Sequence, residues 1–401
     1  MKKLLVGSAA IALGLAVAAP AHAQLQLGVA GHFKGYVDWE NQDTNSIAGG
    51  VRERHFDIIR DTEIHFTGET TLDNGLTVGV HVEAMADAGD SFAVDESYAY
   101  MSGYWGRVNA GDEDGAAFLL QVAAPSADSN VDGIRQYVNP VNYSLTNLNG
   151  RLAEIDYAND GTRHDDKLTY LSPVFEGFQV GASYTPTVTD NDGSFPTIGG
   201  TSSTTSEYAG SVSRTFGNST KPVGAYFGSA YEGAARWEGT WNNVGLNLGG
   251  GYLRVTGENG DPSLNQWNGG INANIAAFGL GGIYTRDSGG VYESGHTNTW
   301  DIGGDWTTGP FKLGASWLNR HDEALTAAAE AAGGGVGTSP GTLADGTAYG
   351  GVTTNRYSGG VVYTFAPGMS FRGSVGLIRS DVSGAANVDA TYGLLGTQIN
   401  F

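Results

Sequence analysis

The sequence predicts an all-β chain closed into a transmembrane antiparallel up-and-down β-barrel of sixteen strands, with eighteen as the alternative. Three observations carry this. Apolar and polar residues alternate with period two over stretches longer than a soluble strand needs. Tight turns alternate along the chain with long connections rich in Gly, Ser and Ala. The chain also ends on a nearly uncharged alternating segment, "TYGLLGTQINF" (residues 391–401), whose last residue is Phe401.

At the N-terminus, Lys2 and Lys3 precede an apolar stretch over residues 4–19 and the tripeptide Ala21-His22-Ala23, which has the A-x-A form of an export cleavage site. Residues 1–23 are therefore expected to be a cleaved signal peptide and residues 24–401 a single barrel domain. Beyond Ala23 no run of about 18 apolar residues occurs, so no membrane-spanning helix is expected. The 42 acidic residues outnumber the 21 basic ones, which argues against nucleic acid as a partner. No cysteine is present, excluding disulfides, thiol catalysis and thiolate metal sites. The 63 glycines have no collagen period and fall within strand-like segments, where glycine marks bends or close backbone approach; they suggest a strongly curved sheet.

The first strand sets the pattern. In "QLQLGVAGHFKGYVDW" (residues 24–39) Leu25, Leu27, Val29, Phe33, Val37 and Trp39 share one face, and Gln24, Gln26, His32, Lys34, Tyr36 and Asp38 the other. A soluble strand is typically about five or six residues long, whereas a tilted membrane-spanning strand needs roughly 9–11. Next come "EIHFTGETTL" and "LTVGVHVEAM" around Asp73-Asn74-Gly75, a strong hairpin signal, with Ile64, Phe66, Val78, Val80 and Val82 outward and Glu63, His65, Glu69, His81 and Glu83 inward. Further short turns are expected at residues 103–106, 175–177, 241–243, 277–279, 307–310 and 366–368, making seven in all. Sixteen strands whose two chain ends meet on one rim require seven turns there and eight loops opposite. The low-complexity segments at 197–206 and 324–351 suit such loops. Residues 206–231 hold another plausible hairpin around 217–220; two extra strands there would make eighteen. In hydrocarbon each unpaired backbone group costs several kcal/mol, so the first and last strands must pair. That accounts for the ending: residues 388–401 close the sheet, with Phe401 at the membrane boundary.

Two segments resemble the general diffusion porins of Gram-negative bacteria, of the alphaproteobacterial type. "DDKLTYLSPVFEGFQVGASYTP" (165–186) looks like their sixth and seventh strands, with Tyr170, Ser172, Pro173, Phe175, Gly177 and Phe178 in the Y-x-S-P-x-F-x-G-F core. "DESYAYMSGYWGRVNAGDEDGA" (95–116) is similar to their fourth and fifth strands. Phe401, with Leu395 and Ile399 on its face, matches the family's insertion signal. The resemblance implies a homotrimer in the outer membrane, in contact with lipid and lipopolysaccharide, inserted by the barrel assembly machinery through its C-terminal strand. It also implies passive diffusion of ions and small hydrophilic solutes, no resident cofactor, and a third long loop (residues 112–148) folded into the pore. In the family that loop sets carboxylates against a basic wall. Here the loop offers Asp112, Glu113, Asp114, Asp128 and Asp132, while the family's P-E-F-G-G-D motif is absent.

Parity nominates the wall: His32, Lys34, His65, His81 and Arg107, with Lys167, Lys312 and Arg372 farther round. Arg52, Arg54 and Arg60 share the parity of Ile64 and Phe66, the lipid face, where a cation at mid-bilayer costs roughly 2–4 kcal/mol. They are expected above the membrane or beyond a bulge near Ile58-Ile59. A charge facing a wide aqueous lumen is also simply solvated. The loop carboxylates are ordinary surface on that reading, or weak calcium ligands, since no EF-hand spacing occurs. Trp237, Trp241, Trp267, Trp300, Trp306 and Trp317 fit interfacial girdles better than a sugar path.

No G-x-S-x-G elbow, H-E-x-x-H helix, phosphate loop or dinucleotide fingerprint is present, which sets an enzyme aside. A secreted β-sandwich adhesin would have no use for apolar outward faces or a terminal Phe. Within channels, a sugar- or anion-selective pore is the alternative. The acidic balance favours cations weakly, and the basic residues are too interspersed with Glu63, Glu69, Glu83, Glu238, Asp301 and Asp305 for a phosphate ladder.

Overall fold

The computed structural model describes residues 25–43, 55–88, 91–141, 155–188, 226–258, 263–289, 296–323, 351–382 and 387–401. Its strands are β1 (Gln26–Gln42), β2 (Phe56–Thr71), β3 (Thr77–Ala88), β4 (Ser91–Gly103), β5 (Gly106–Asp112), β6 (Asp166–Leu171), β7 (Phe178–Thr185), β8 (Tyr226–Trp241), β9 (Val244–Glu258), β10 (Leu264–Ile275), β11 (Phe278–Gly289), β12 (His296–Thr308), β13 (Phe311–Glu323), β14 (Gly351–Ala366), β15 (Met369–Val382) and β16 (Val388–Asn400). Each pairs antiparallel with its neighbours in sequence, and β1 pairs with β16, closing the sheet. Two one-turn helices, α1 (Ala116–Leu119) and α2 (Ser129–Asp132), lie between β5 and β6. Among the described residues no helix is long and apolar enough to cross a membrane. The predicted signal peptide, Arg52 and Arg54 lie outside the described residues.

The seven short turns all fall where the alternation breaks, on the rim that also carries both ends of the closing pair. Asn242 and Asn243 both take positive φ (46° and 67°), the conformation a two-residue hairpin needs. The β10–β11 turn lies one residue earlier than expected, so Gly279 sits inside β11. Opposite, the connections run from the long segment between β5 and β6 to the two residues between β3 and β4. That short link departs from the expectation of long loops throughout that rim. The strand count is sixteen: β7 pairs directly with β8, from Phe178↔Trp237 to Thr185↔Ala230, and β8 begins at Tyr226. No strand of the closed order therefore comes from between them, and the eighteen-strand alternative is set aside. Residues 206–225 lie outside the described residues.

Closure depends on the last residues. His32 pairs with Asn400 and Gln42 with Ala390. Beyond that ladder the Gly31 N–H donates to the Phe401 carbonyl at 2.8 Å, and the Phe401 N–H donates back to Gly31 at 3.0 Å. A Cβ at Gly31 would sit 2.9 Å from the Phe401 ring, so the terminal aromatic covers a bare glycine. Leu395, 72% exposed, lies on the same outward face.

The outer face is apolar. Leu27, Val29, Trp39, Ile58, Val80, Val180, Leu280 and Val375 are exposed in the isolated chain. Trp267 packs on Tyr284, which packs on Trp300, and Trp317 stacks on Tyr357, forming an aromatic belt toward the loop rim. Phe178–Trp237, Phe278–Trp306, Phe311–Tyr363 and Phe365–Phe371 form a second belt toward the turn rim. The tryptophans thus stand outside, not along the lumen. Arg60 is exposed on this outer face opposite Gly35. The β1–β2 register is unbroken around it, so the expected bulge near Ile58-Ile59 is not there.

Deleting Phe401 removes both hydrogen bonds to Gly31, each worth about 1 kcal/mol net in water and more in hydrocarbon. The deletion is expected to lower the urea midpoint of the folded barrel in vesicles, and Phe401→Ala, which keeps both bonds, to lower it less. Equal effects would show that the backbone pair is not what closes the seam.

Candidate functional site: a lumen narrowed by an inward loop

Polar residues line the interior in the opposite parity to the aromatic belts. On β1 these are His32, Lys34, Tyr36, Asp38 and Glu40; on β2, Asp61, Glu63, His65 and Glu69; on β12, Asp301; on β14, Arg356. Between β5 and β6 the described residues 113–141 and 155–165 fold into this interior and lie against the wall. They make one pass outward from β6 toward β1 and return.

The wall makes room with glycine. On six successive strands Gly249, Gly270, Gly281, Gly303, Gly314 and Gly360 face the lumen where loop residues 120–127 pass. A Cβ on Gly303 would lie 1.9 Å from the Pro125 carbonyl oxygen, and one on Gly314 2.7 Å from the Ala127 nitrogen. Any side chain there would push the loop toward the axis. These six glycines are thus explained by loop docking rather than by curvature.

Hydrogen bonds then fix the loop. At the start, the Ala116 N–H donates to Ser183 at 2.8 Å and the Ala117 N–H to Glu232 at 3.0 Å. Near the middle, Asp128 caps α2 through the Asn130 N–H and also accepts from Tyr36 (2.8 Å) and Arg372 (2.6 Å). Ser316 donates to Asp132 at 3.2 Å. Arg356, fully buried, donates to the Val131 and Ile155 carbonyls at 3.0 and 2.5 Å, clamping both passes of the loop, with Asp301 3.7 Å away. On the return, Thr285 donates to the Tyr157 carbonyl (2.8 Å) and Thr162 to Glu232 (2.6 Å). Lys167 donates to the Glu113, Arg163 and Asp165 carbonyls.

Where the passes cross, Arg135 donates to Asp114 at 2.6 Å and to Asp160 at 2.9 Å. His164 lies 3.5 Å from Asp114, 3.2 Å from Asp95 and 3.4 Å from Glu96. Burial alone would raise the Asp114 carboxyl, but the charges of Arg135 and His164 outweigh it and hold it well below the usual range. Burial would lower His164, but Asp114 and Asp95 hold it well above its ordinary value.

The acidic loop residues are thus placed as follows. Asp114, Asp128 and Asp132 bind the loop to itself or to the wall behind it, Glu113 accepts from Asn109 at 2.6 Å, and Asp112 ends β5. Of the basic nominees, Arg372 and Lys167 are loop fasteners, and Lys312 pairs with Asp305 at 3.2 Å near the turn rim. The others come together on one arc. Lys34 meets Asp61 at 2.5 Å and lies 3.6 Å from the Tyr137 ring centroid. Arg107 stacks on Tyr100 at 3.9 Å, and His32, His65 and His81 stand ring to ring beside it. His32, Glu63, His65, His81, Glu83 and Arg107 are partly exposed, whereas the wall under the loop is buried: Asp301 0%, Gln266 1%, Thr285 3%. Among the described residues the space left open runs beside His32, Glu63, His65, His81, Glu83 and Arg107 on β1–β3 and β5, while Lys34, Asp61 and Asn109 of the same strands are buried.

Arg356 and Arg135 were not singled out from the sequence. The parity Arg356 shares with Thr354 and Ser358 already turns it inward; Arg135 and His164, on the loop, carry no such signal.

A sealed sheet with an apolar outer band, a polar interior and a loop folded inward defines a β-barrel membrane channel. The sequence profile described as Gram-negative porin matches residues 7–383, and the chain belongs to that family: it is an outer-membrane channel for passive diffusion. Among solved structures it is similar to the anion-selective porin from Comamonas acidovorans (TM-score 0.61, 14% identity, covering 94% of this chain and 100% of that one). It is also similar to a loop L8 deletion mutant of OmpT, an outer membrane protein of Vibrio cholerae (0.55, 12%, 94% and 99%), and to a porin refined at 1.8 Å (0.53, 16%, 94% and 100%). At these identities the likeness is one of fold. A search of curated proteins finds no match.

Gly303→Val is expected to leave a folded barrel with the loop displaced, read as altered single-channel conductance and faster proteolysis within the loop; wild-type behaviour in both would contradict the docking role. The Asp114–His164 junction gives a pH signature. Asp114, depressed on folding, contributes above about pH 3.9 and is lost as pH falls through its low folded value. His164, raised on folding, contributes fully below about pH 6.5 and is lost as pH rises through its higher folded value. The junction is therefore held through neutrality and loosens on the alkaline side. Open-channel noise is expected to rise there in the wild type and to be high at neutral pH in His164→Gln.

Proposed function

We propose that the protein is a general diffusion porin, a homotrimer that passes small hydrophilic solutes without a dedicated binding site and prefers cations weakly, and that it is not an enzyme. The observation that carries this reading is the charge pattern of the open arc. Glu63, Glu69 and Glu83 face it on β2 and β3, while Lys34 and Asp61 are buried and neutralise each other, and Arg107 is held by Asn109 at 2.6 Å and covered by Tyr100. The remaining basic nominees on the wall are engaged by the loop or by Asp305. A phosphate-type ladder of free cations is not what these residues make, although a structurally similar protein is described as anion-selective. Selectivity is decided by the groups beside the narrowest part of the path, so the arc outweighs the total charge.

Arg60 supports the trimer. Its outward position opposite Gly35, between the levels of Phe33 and Trp39, would cost roughly 2–4 kcal/mol against lipid. Covering the β1–β2 face with another copy of the chain that offers the guanidinium polar or acidic groups lowers that cost. The outward C-terminal residues Leu395, Ile399 and Phe401 are the surface on which recognition by the assembly machinery would act, and the rest of the outer band meets lipid and lipopolysaccharide.

In planar bilayers under a salt gradient the reversal potential is expected to have the sign for cation preference, and the triple variant D61N/E63Q/E83Q to shift it toward anions. Anion preference in the wild type would overturn the reading, and saturable block by one sugar or anion would replace it with a selective channel. Native gels are expected to show a trimer that Arg60→Glu weakens.

A further inference from the structure

We propose that the lumen wall carries a binding site for a first-row divalent transition metal such as zinc, made by His32, Glu63 and His65, with its open position facing the aqueous path.

The argument begins with edge lengths. A tetrahedral zinc site with bonds of about 2.0–2.1 Å places its ligand atoms about 3.3 Å apart. Here His65 Nε2 lies 3.2 Å from Glu63 Oε2, and His32 Nδ1 lies 3.6 Å from the same oxygen. One ligand atom from each of the three residues lies within 4.8 Å of the others, so small side-chain rotations complete the face. The residues come from adjacent strands, and His32 and Glu63 are directly paired across β1 and β2, so a rigid sheet sets the spacing.

The second observation is what the other ring nitrogens do. A metal-bound imidazole characteristically donates its remaining N–H to a carboxylate, which fixes the tautomer and raises ligand basicity. His32 Nε2 lies 3.3 Å from Asp61 Oδ2, and His65 Nδ1 lies 3.2 Å from Glu83 Oε1. Both supporting carboxylates are themselves held, Asp61 by Lys34 at 2.5 Å and Glu83 by His81 at 2.7 Å. Both histidines therefore already have the orientation and outer support of ligands. An ordinary lumen histidine solvated by water needs none of this.

Two imidazoles and one carboxylate favour transition metals over magnesium or calcium, which prefer all-oxygen sets. Three protein ligands leave a fourth position for water or a passing anion. The side chains of His32, Glu63 and His65 retain 14%, 13% and 24% of their exposure, so the site is reachable from the lumen. Of the two other His–carboxylate groupings among the described residues, His65, His81 and Glu83 shares His65 with this site but sets His81 Nε2 only 2.7 Å from Glu83 Oε1, shorter than a tetrahedral edge, and Glu96, Asp114 and His164 has the Arg135 guanidinium 2.6 Å from Asp114, a fixed cation that repels a metal.

A bound dication would reverse the sign of this part of the arc and oppose cation flow. That consequence rests on the channel reading above, whereas the binding itself does not. The test uses the purified, folded protein with zinc chloride as probe, in calorimetry and in planar bilayers. Expected are saturable binding of zinc and a chelator-reversible fall in current, with no such fall from magnesium at the same concentration. His32→Gln and His65→Gln are expected to lose both responses. Asp61→Asn and Glu83→Gln, which spare the ligands, are expected to weaken zinc affinity about 10–100-fold. His296→Gln, on the loop rim, keeps both responses. Heat-shifted gel mobility establishes that each variant is folded. No zinc binding, equal binding by His65→Gln, or the same effect from magnesium would overturn the proposal. Zinc binding by a protein that passes no current would uphold the site and count against the channel reading instead.

Discussion

A β-sheet in hydrocarbon cannot have an edge, and every other feature of this molecule is arranged around that constraint. Unpaired N–H and C=O groups cost several kcal/mol each where no water can reach them, so sixteen strands must close and the last strand must meet the first. The ladder from His32 to Gln42 against Asn400 to Ala390 does this, and the Gly31–Phe401 pair extends it to the final residue. Once closed, period two divides the strand residues, apart from a few register shifts and Arg60, into a face for lipid and a face for water. The strands can therefore carry charges inside at no cost to the outside.

Closure creates a lumen but not a constriction. That comes from a loop whose backbone must find partners away from bulk water, and it does so on the wall. Side-chain donors and acceptors from β1, β7, β8, β10, β11 and β13–β15 supplement the two one-turn helices of the loop's described residues. The lumen-facing glycines set how far it can recede. Because the described loop residues lie mainly along β6–β16, with further holds on β1, β4 and β5, the loop's carboxylates are spent on anchoring, and among the described residues the water path is left beside the partly exposed groups of β1–β3 and β5. The electrostatics of passage thus depend on Glu63, Glu83 and the histidines between them rather than on a field between loop and wall.

The barrel was legible because one physical rule, alternation, repeats sixteen times and each turn interrupts it. Lys34, His32, His65, His81 and Arg107 were assigned to the lumen by parity alone. Parity also turned Lys167 and Arg372 inward, but it says only which way a side chain leaves the sheet. Whether that side chain then meets water or loop carbonyls depends on residues far away in sequence, and both of these meet the loop. The same limit applies to Asp114 and Asp128, whose partners Arg135 and Arg372 are set by the loop's path. The glycine excess was visible at once, but its alignment into a belt appears only when six strands lie side by side.

The central claim, that the loop covers one side of the wall and leaves water along β1–β5, is open to direct measurement because the chain has no cysteine of its own. Single cysteines placed at Thr67, on the partly exposed arc, and at Thr299, buried beneath the loop on β12, would be compared for reaction with a small charged thiol reagent during channel recording. The account expects Thr67→Cys to react quickly with a stepwise change in current and Thr299→Cys to react slowly or not at all. Fast modification at Thr299 with protection at Thr67 would place the water on the other side of the loop and contradict it.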